Sequence, residues 1–152
     1  MLTEDNCQSL IQAAIQAKEY AYSPYSKFRV GAAILCADDT IVNGANVENA
    51  SWGGTICAER TAVVKAVSEG RKDFIALAVT SDIAVPISPC GICRQVLREF
   101  CTLDMPVFLV PVDYPKKDAK DGGILKMTVG GLLPYSFGPE HLELPRQPTG
   151  PQ

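Results

Sequence analysis

Cys90-Gly91-Ile92-Cys93 places two thiols at i and i+3, and Cys57-Ala58-Glu59 places a third thiol two residues before a carboxylate. In the first turn of a helix, the i, i+3 spacing lets both sulfurs reach one tetrahedral ion. A Cys-x-x-Cys alone is ambiguous between metal and redox chemistry. A thioredoxin-like pair follows the first strands of a domain, whereas this one comes late and has a third thiol upstream. Three sulfurs without a fourth leave one coordination position open for water, as in catalytic zinc sites.

A carboxylate that lies beside such an ion without ligating it supplies the missing proton carrier. Zinc deaminases combine three His/Cys ligands with a non-ligating Glu, in an H-x-E then P-C-x-x-C pattern. Here Cys57 stands at the first ligand position, Glu59 follows two residues later and Pro89 precedes Cys90. Cys101 lies about two helical turns beyond Cys93, too far for the same ion, so Cys7, Cys36 and Cys101 are expected to be buried hydrophobic thiols. Three thiolates on Zn²⁺ leave a net negative centre, which makes a coordinated water less acidic. The two helix N-termini offset part of this, and Arg60 and Arg94, each directly after a site residue, are candidates to donate to a thiolate.

The elements needed to present these residues are legible around them. Cys7, Leu10, Ile11, Ala14 and Ile15 recur at helical spacing behind a Thr3 cap, which predicts a helix over 3–18. Residues 28–35 and 41–45, separated by Asp38-Asp39-Thr40, predict an antiparallel hairpin. A second helix opens at Cys57, small and apolar almost all round and stopped by Gly70, so deep burial is expected. The apolar run 74–80 reads as a central strand covered on both faces. A third helix opens at Cys90, and strands follow at 106–112 and 124–129 around a charged loop. Alternation of this kind predicts a three-layer α/β/α fold around a mixed five-stranded sheet, with 1–152 as one domain and 145–152 as a proline-rich, flexible tail.

The formal charge of -3, without a basic run, supplies no phosphate-neutralising field, so nucleic acid is not the expected partner. No apolar run approaches the roughly 20 residues of a membrane span, and the acidic N-terminus is unlike a signal peptide. A small neutral substrate and a cytoplasmic setting fit better, and six cysteines then read as thiols or ligands rather than disulfides.

Beyond the metal motif, Ser26-Lys27-Phe28 with Val30-Gly31-Ala32-Ala33, Asn46-Val47-Glu48-Asn49-Ala50-Ser51, Thr55-Ile56-Cys57-Ala58-Glu59-Arg60-Thr61-Ala62, Ser88-Pro89-Cys90-Gly91-Ile92-Cys93-Arg94-Gln95, and Leu132-Leu133-Pro134 with Phe137-Gly138-Pro139 follow in order. Over about residues 5–142 the chain thereby resembles the small homotetrameric zinc-dependent cytidine deaminases. The resemblance implies hydrolysis of free cytidine and deoxycytidine to uridine and deoxyuridine in pyrimidine salvage, with zinc on Cys57, Cys90 and Cys93 and Glu59 as acid/base. It assigns Asn46 and Glu48 to the ribose 3'-hydroxyl, the Phe28 ring to the pyrimidine face and the Ala58 amide to the base O2. If 46–48 is extended, Asn46 and Glu48 do face one side. It also implies that Ala50, Trp52 and Phe137 complete a neighbouring subunit's site.

Two departures stand out: Trp52 occupies a position that is commonly Tyr, and Arg29 one that is frequently Pro. His141, the only histidine, falls outside the matched ligand positions and is expected at the surface. Three rival readings are a polynucleotide deaminase, a deaminase of a nucleoside-like antibiotic such as blasticidin, and a structural zinc module. The first needs a basic and aromatic groove that the sequence lacks. The sugar-binding pair and the Phe137 block argue against the second, and the missing fourth ligand together with Glu59 against the third.

Overall fold

The computed structural model describes residues 2–147. Helix α1 spans Glu4–Lys18 and is capped by Thr3, whose Oγ1 accepts from the Asn6 backbone N–H at 3.1 Å. Glu4 and Asp5 in its first turn and Lys18 in its last complement the helix dipole. Leu10, Ile11 and Ala14 form its buried stripe, with Cys7 and Ile15 half-buried beside it.

Strands β1 (Val30–Cys36) and β2 (Ile41–Ala45) pair antiparallel as a hairpin. β1 starts two residues later than its apolar pattern suggests. The Phe28 carbonyl and the Val30 N–H are taken by the Asn46 side-chain amide, at 2.8 Å each, instead of by a neighbouring strand. After α2 (Ala58–Ser68), β3 (Phe74–Ser81) and α3 (Gly91–Phe100) come β4 (Pro106–Val110) and β5 (Leu125–Thr128). β4 ends short of residue 112 because Pro111 has no N–H for a further ladder bond. β5 gives way to a one-turn helix α4 (Val129–Leu132), where the Thr128 hydroxyl caps the Gly131 N–H at 3.0 Å.

The sheet order is β2-β1-β3-β4-β5, with β3 and β4 parallel and the other pairs antiparallel. Alternation along the strands sorts the core into two layers. Ala33, Leu35, Ala76, Ala78, Phe108 and Val110 pack with α1. On the opposite face Ala32, Ile34, Leu77, Val79, Val107 and Leu109 pack with α2, α3 and α4. The mixed five-stranded α/β/α arrangement is thus the one expected. Helix α2 is less enclosed than its composition suggests: Ala58, Ala62, Val63 and Ala66 face the sheet, but Val64 is 48 % exposed and Lys65 and Ser68 lie outside. An outer-layer helix has one face on the sheet, and small residues opposite that face need not be covered. In the tail, 145–147 are exposed and without regular structure; the rest of the expected flexible segment lies outside the described residues.

Two features fix how closely the helices approach. A Cβ on Gly44 would stand 2.5 Å from the Ala62 N and 2.7 Å from the Ala58 O, both α2 backbone. A charge network also joins the end of α1 to the residues just before β1 and just after β3. Asp82 accepts a two-pronged contact from Arg29, Nε to Oδ2 and Nη2 to Oδ1 at 2.9 Å each. Lys18, only 6 % exposed, pairs with Asp82 Oδ1 at 3.2 Å, and Arg29 Nη1 reaches Glu19 at 2.9 Å.

Two outcomes are expected. Gly44→Ala pushes α2 off β2 and lowers unfolding stability by about 1–3 kcal/mol, as overpacking does; an unchanged denaturant midpoint refutes the close-approach role. The hydrogen bond from Arg29, with Lys18 adding to it, holds the Asp82 carboxyl down at about 2. A carboxyl lowered on folding stabilises fully above its unfolded pKa of about 4, and this is lost as pH falls toward the folded value. The stability gap between the native protein and Asp82→Asn therefore narrows between about pH 5 and pH 2. A gap constant over that window excludes the ion pair as its source.

Candidate metal centre and adjoining pocket

Cys57 and Cys90 are the N-cap residues of α2 and α3, and Cys93 sits in the first turn of α3. Neither cap cysteine bonds its own helix, so both sulfurs are free to face outward from the positive ends of the two helices. The three sulfurs lie within 4.8 Å of one another, with Cys57 and Cys90 at 3.9 Å. Zinc–sulfur bonds of about 2.3 Å set tetrahedral S···S edges of about 3.8 Å, so this donor set fits one zinc ion. Among the described residues no further His, Cys, Asp or Glu joins the cluster.

The thiols respond to one another and to Arg60. Proximity to Cys93, and then to Arg60, pulls the Cys57 thiol below its ordinary value against burial. The Cys93 thiol moves up, through Cys57 beside it and through burial. Arg60 Nη2 lies 3.6 Å from Cys57 Sγ and 3.4 Å from the Thr55 carbonyl, while its Nε is buried without an acceptor among the described residues. That guanidinium therefore faces the thiols as a charge, and contact with Cys57 raises its own pKa.

Glu59 is 5 % exposed, in the first turn of α2, with Oε2 3.8 Å from Cys93 Sγ. Burial, and then the charge of Cys57, raises its pKa above the ordinary carboxyl value. A carboxyl shifted upward in this way is suited to taking and returning a proton near neutrality. The remaining thiols sit elsewhere: Cys36 and Cys101 are buried and Cys7 half-buried, and burial raises all three, Cys101 to about 12.

Arg94 departs from expectation. Its guanidinium donates to the Pro89 carbonyl at 2.7 Å, the Leu132 carbonyl at 2.6 Å and the Ser88 hydroxyl at 2.6 Å, and to no thiolate. From the first turn of α3 its side chain folds back along the incoming chain, so it fixes the turn that delivers Cys90 and ties it to α4.

A cavity of about 320 Å³ is lined by Tyr25, Ser26, Glu48, Asn49, Trp52 and Thr55. Glu48 Oε1 accepts from the Tyr25 and Ser26 N–H groups at 2.9 and 3.1 Å, and the Ser26 hydrogen bonds hold its carboxyl below the ordinary range. Phe28 is half-buried, and its carbonyl is fixed by Asn46. Ala58 is fully buried, and as the first residue of α2 its N–H is outside the helical ladder. Ala50 is exposed, and Trp52 is 83 % exposed on the 3₁₀ turn Trp52–Gly54. Phe137 is exposed and stacks on His141 at 5.5 Å between centroids; His141 is a surface residue as expected.

Tyr25, Ser26 and Thr55 as pocket wall were not singled out from sequence; a turn with Ser and Tyr before a strand carries no signal of its own. Nor was Arg98, buried on α3, whose Nε donates to Ser136 Oγ at 2.9 Å and which pairs with Glu140. Contacts across about 40 residues of chain leave no local pattern.

The family model of the cytidine and deoxycytidylate deaminase zinc-binding region matches residues 4–109. Cytidine deaminase of Halalkalibacterium halodurans is 50% identical over 135 residues, covering 89% of this chain and 96% of the relative. The probable cytidine deaminase of Dictyostelium discoideum is 42% identical, covering 93% and 90%. Among solved structures, cytidine deaminase from Burkholderia pseudomallei superposes with a TM-score of 0.78 at 40% identity, covering 90% of this chain and 100% of that one. With a matching family model, close relatives and a sulfur cluster fit for zinc, the chain belongs to the zinc-binding cytidine and deoxycytidylate deaminase family.

Proposed function

We propose that this protein hydrolyses the 4-amino group of free cytidine and deoxycytidine, with Cys57, Cys90 and Cys93 holding one zinc ion and Glu59 carrying the protons. Cytidine deamination is the activity of its relatives by name, and zinc is the cofactor of the family. The observation that carries the assignment of roles is a buried carboxyl, raised in pKa, at 3.8 Å from a cluster of three sulfurs.

Zinc, when bound, supplies the Lewis acidity that activates water for attack. Glu59 accepts a proton from the attacking water and delivers it to N3 of the cytosine ring, which makes C4 electrophilic. The water oxygen bonds to C4, Glu59 passes the second proton to the 4-amino group, and the C4–N bond breaks to release ammonia and uridine. Glu59 thus ends as it began, and no redox change occurs. The Ala58 N–H, unused by the helix, donates to the base O2. The Phe28 ring packs on the pyrimidine face. Glu48 retains Oε2, beyond the oxygen that holds the Tyr25–Ser26 turn, for the ribose 3'-hydroxyl, and Asn46 serves the same hydroxyl while bracing β1. Arg60 offsets the charge of the thiolates, and Arg94 supports Cys90 through the Ser88-Pro89 turn.

The single-domain organisation, a cytoplasmic setting in pyrimidine salvage and assembly as a homotetramer belong to the same proposal. Assembly is supported by the exposure of Trp52, Ile92, Tyr135 and Phe137 and by an apolar groove along α3 lined by Ile92, Val96 and Phe100. In such an assembly Ala50, Trp52 and Phe137 close a neighbouring site.

Glu59→Gln is expected to retain about one zinc per chain while turnover falls by about 10²–10⁴. Metal analysis beside an ammonia-release assay checks this, and near-normal turnover removes Glu59 from the reaction. Cytidine and deoxycytidine are expected to react, whereas CMP and single-stranded DNA are not, because the cavity presents the Glu48 carboxylate and no cationic side chain to a phosphate. Comparable loss of cytosine absorbance with CMP or the oligonucleotide refutes the nucleoside assignment.

A further inference from the structure

We infer that Arg29, anchored by Asp82, is a positioning residue for the pocket wall formed by residues 25–28, setting nucleoside affinity without touching the nucleoside; this rests on the functional reading above. Tyr25 and Ser26 line the cavity, yet residues 23–29 contain neither helix nor strand. A wall without a ladder of its own takes its shape from whatever grips it.

Three grips are present. Glu48 holds the Tyr25 and Ser26 N–H groups, and Asn46 holds the Phe28 carbonyl and the Val30 N–H. The third is Asp82 at the end of β3, which takes the Arg29 backbone N–H at 3.3 Å as well as both prongs of its guanidinium. Between the first two grips Lys27 stands at φ 57°, a left-handed conformation that a residue with a side chain avoids. The wall is therefore held away from its relaxed geometry and shifts when a grip is lost.

Of the three grips, only the third neither lines the cavity nor is assigned a contact with the nucleoside. Its anchor is firm: Asp82 is also bound by the buried Lys18, which donates to the Ser81 carbonyl at 3.2 Å. A planar guanidinium matches the carboxylate with two parallel bonds and fixes direction as well as distance, which an ammonium does not. The side chains of Arg29 and Asp82 are 39 % and 28 % exposed, so dissolved salt reaches the pair.

Arg29→Gln removes both guanidinium prongs of the grip, leaving on Asp82 the backbone N–H of position 29 and the paired Lys18. Its KM for cytidine is expected to rise about 3–10-fold, with kcat, zinc content and oligomer size unchanged. Because cytidine is uncharged, salt acts on the protein alone. The native KM is expected to climb between about 0.05 and 1 M NaCl, and that of the variant to stay flat. Arg29→Lys, which keeps charge but not the fork, is expected to lie between the two, and it serves as the test if Arg29→Gln does not assemble. An unaltered KM and salt response in an assembled variant, with or without a lower melting temperature, reduces Arg29 to a structural brace and overturns the inference. No turnover of cytidine by the native protein defeats the functional reading and this inference together; normal native turnover with an unaltered variant KM defeats this inference alone.

Discussion

Two helix N-termini must meet. Cys57 and Cys90 are separated by 33 residues, and their sulfurs stand 3.9 Å apart. Much of the fold serves that meeting. Both helices pack on the same face of the sheet, α2 over the hairpin and α3 against α2 and α4. Gly44 lets the α2 backbone settle directly on β2 at the level of Ala58 and Ala62. At the other helix, Arg94 fastens the Ser88-Pro89 turn and the carbonyl of Leu132, so Cys90 arrives from a segment tied on two sides. A shift of about 1 Å in either helix would take the sulfurs off the edge length of a tetrahedron.

Electrostatics follows from the same geometry. Gathering thiols at one point concentrates negative charge, which two helix dipoles and one half-buried guanidinium oppose. Placing Glu59 one residue inside α2 then puts a carboxyl where burial and the neighbouring Cys57 both disfavour its ionised form. The field that makes the cluster a cation site thus also shifts the adjoining carboxyl. Arg60 therefore serves both, and its Nε, buried without an acceptor, marks the desolvation accepted to keep a positive charge there.

The fold was legible because both sheet faces are covered, and continuous apolar strands with clear breaks result. Strand ends were less so: Phe28 reads as strand by type, but an Asn46 side chain claims its carbonyl. Cys57, Cys90, Cys93 and Glu59 were legible because their spacing relative to helix starts carries the geometry. The pocket wall was not. Tyr25 and Ser26 become lining only because Glu48, over 20 residues downstream, folds them inward, and Asp82 holds Arg29 across 53 residues. The expected thiolate contact of Arg94 failed for a related reason: helical position gives the start of a side chain's path, while three nearby oxygens decide where its long tip goes.

The six cysteines show that environment, rather than residue type, selects ligands. Cys36 and Cys101 lie in the same apolar layer that carries α2 and α3, and burial there raises their thiols, Cys101 to about 12. Cys57 is pulled the other way, although it too is partly buried. The difference is neighbours: Cys57 has Cys93, Arg60 and Cys90 beside it, and Cys101 has nothing that offsets desolvation. A metal ion binds thiolates, so it is drawn to the place where one thiol is already inclined to ionise and two more stand within reach. That place is set by backbone, because only at the first turn of a helix do unpaired N–H groups and a free cap side chain coincide.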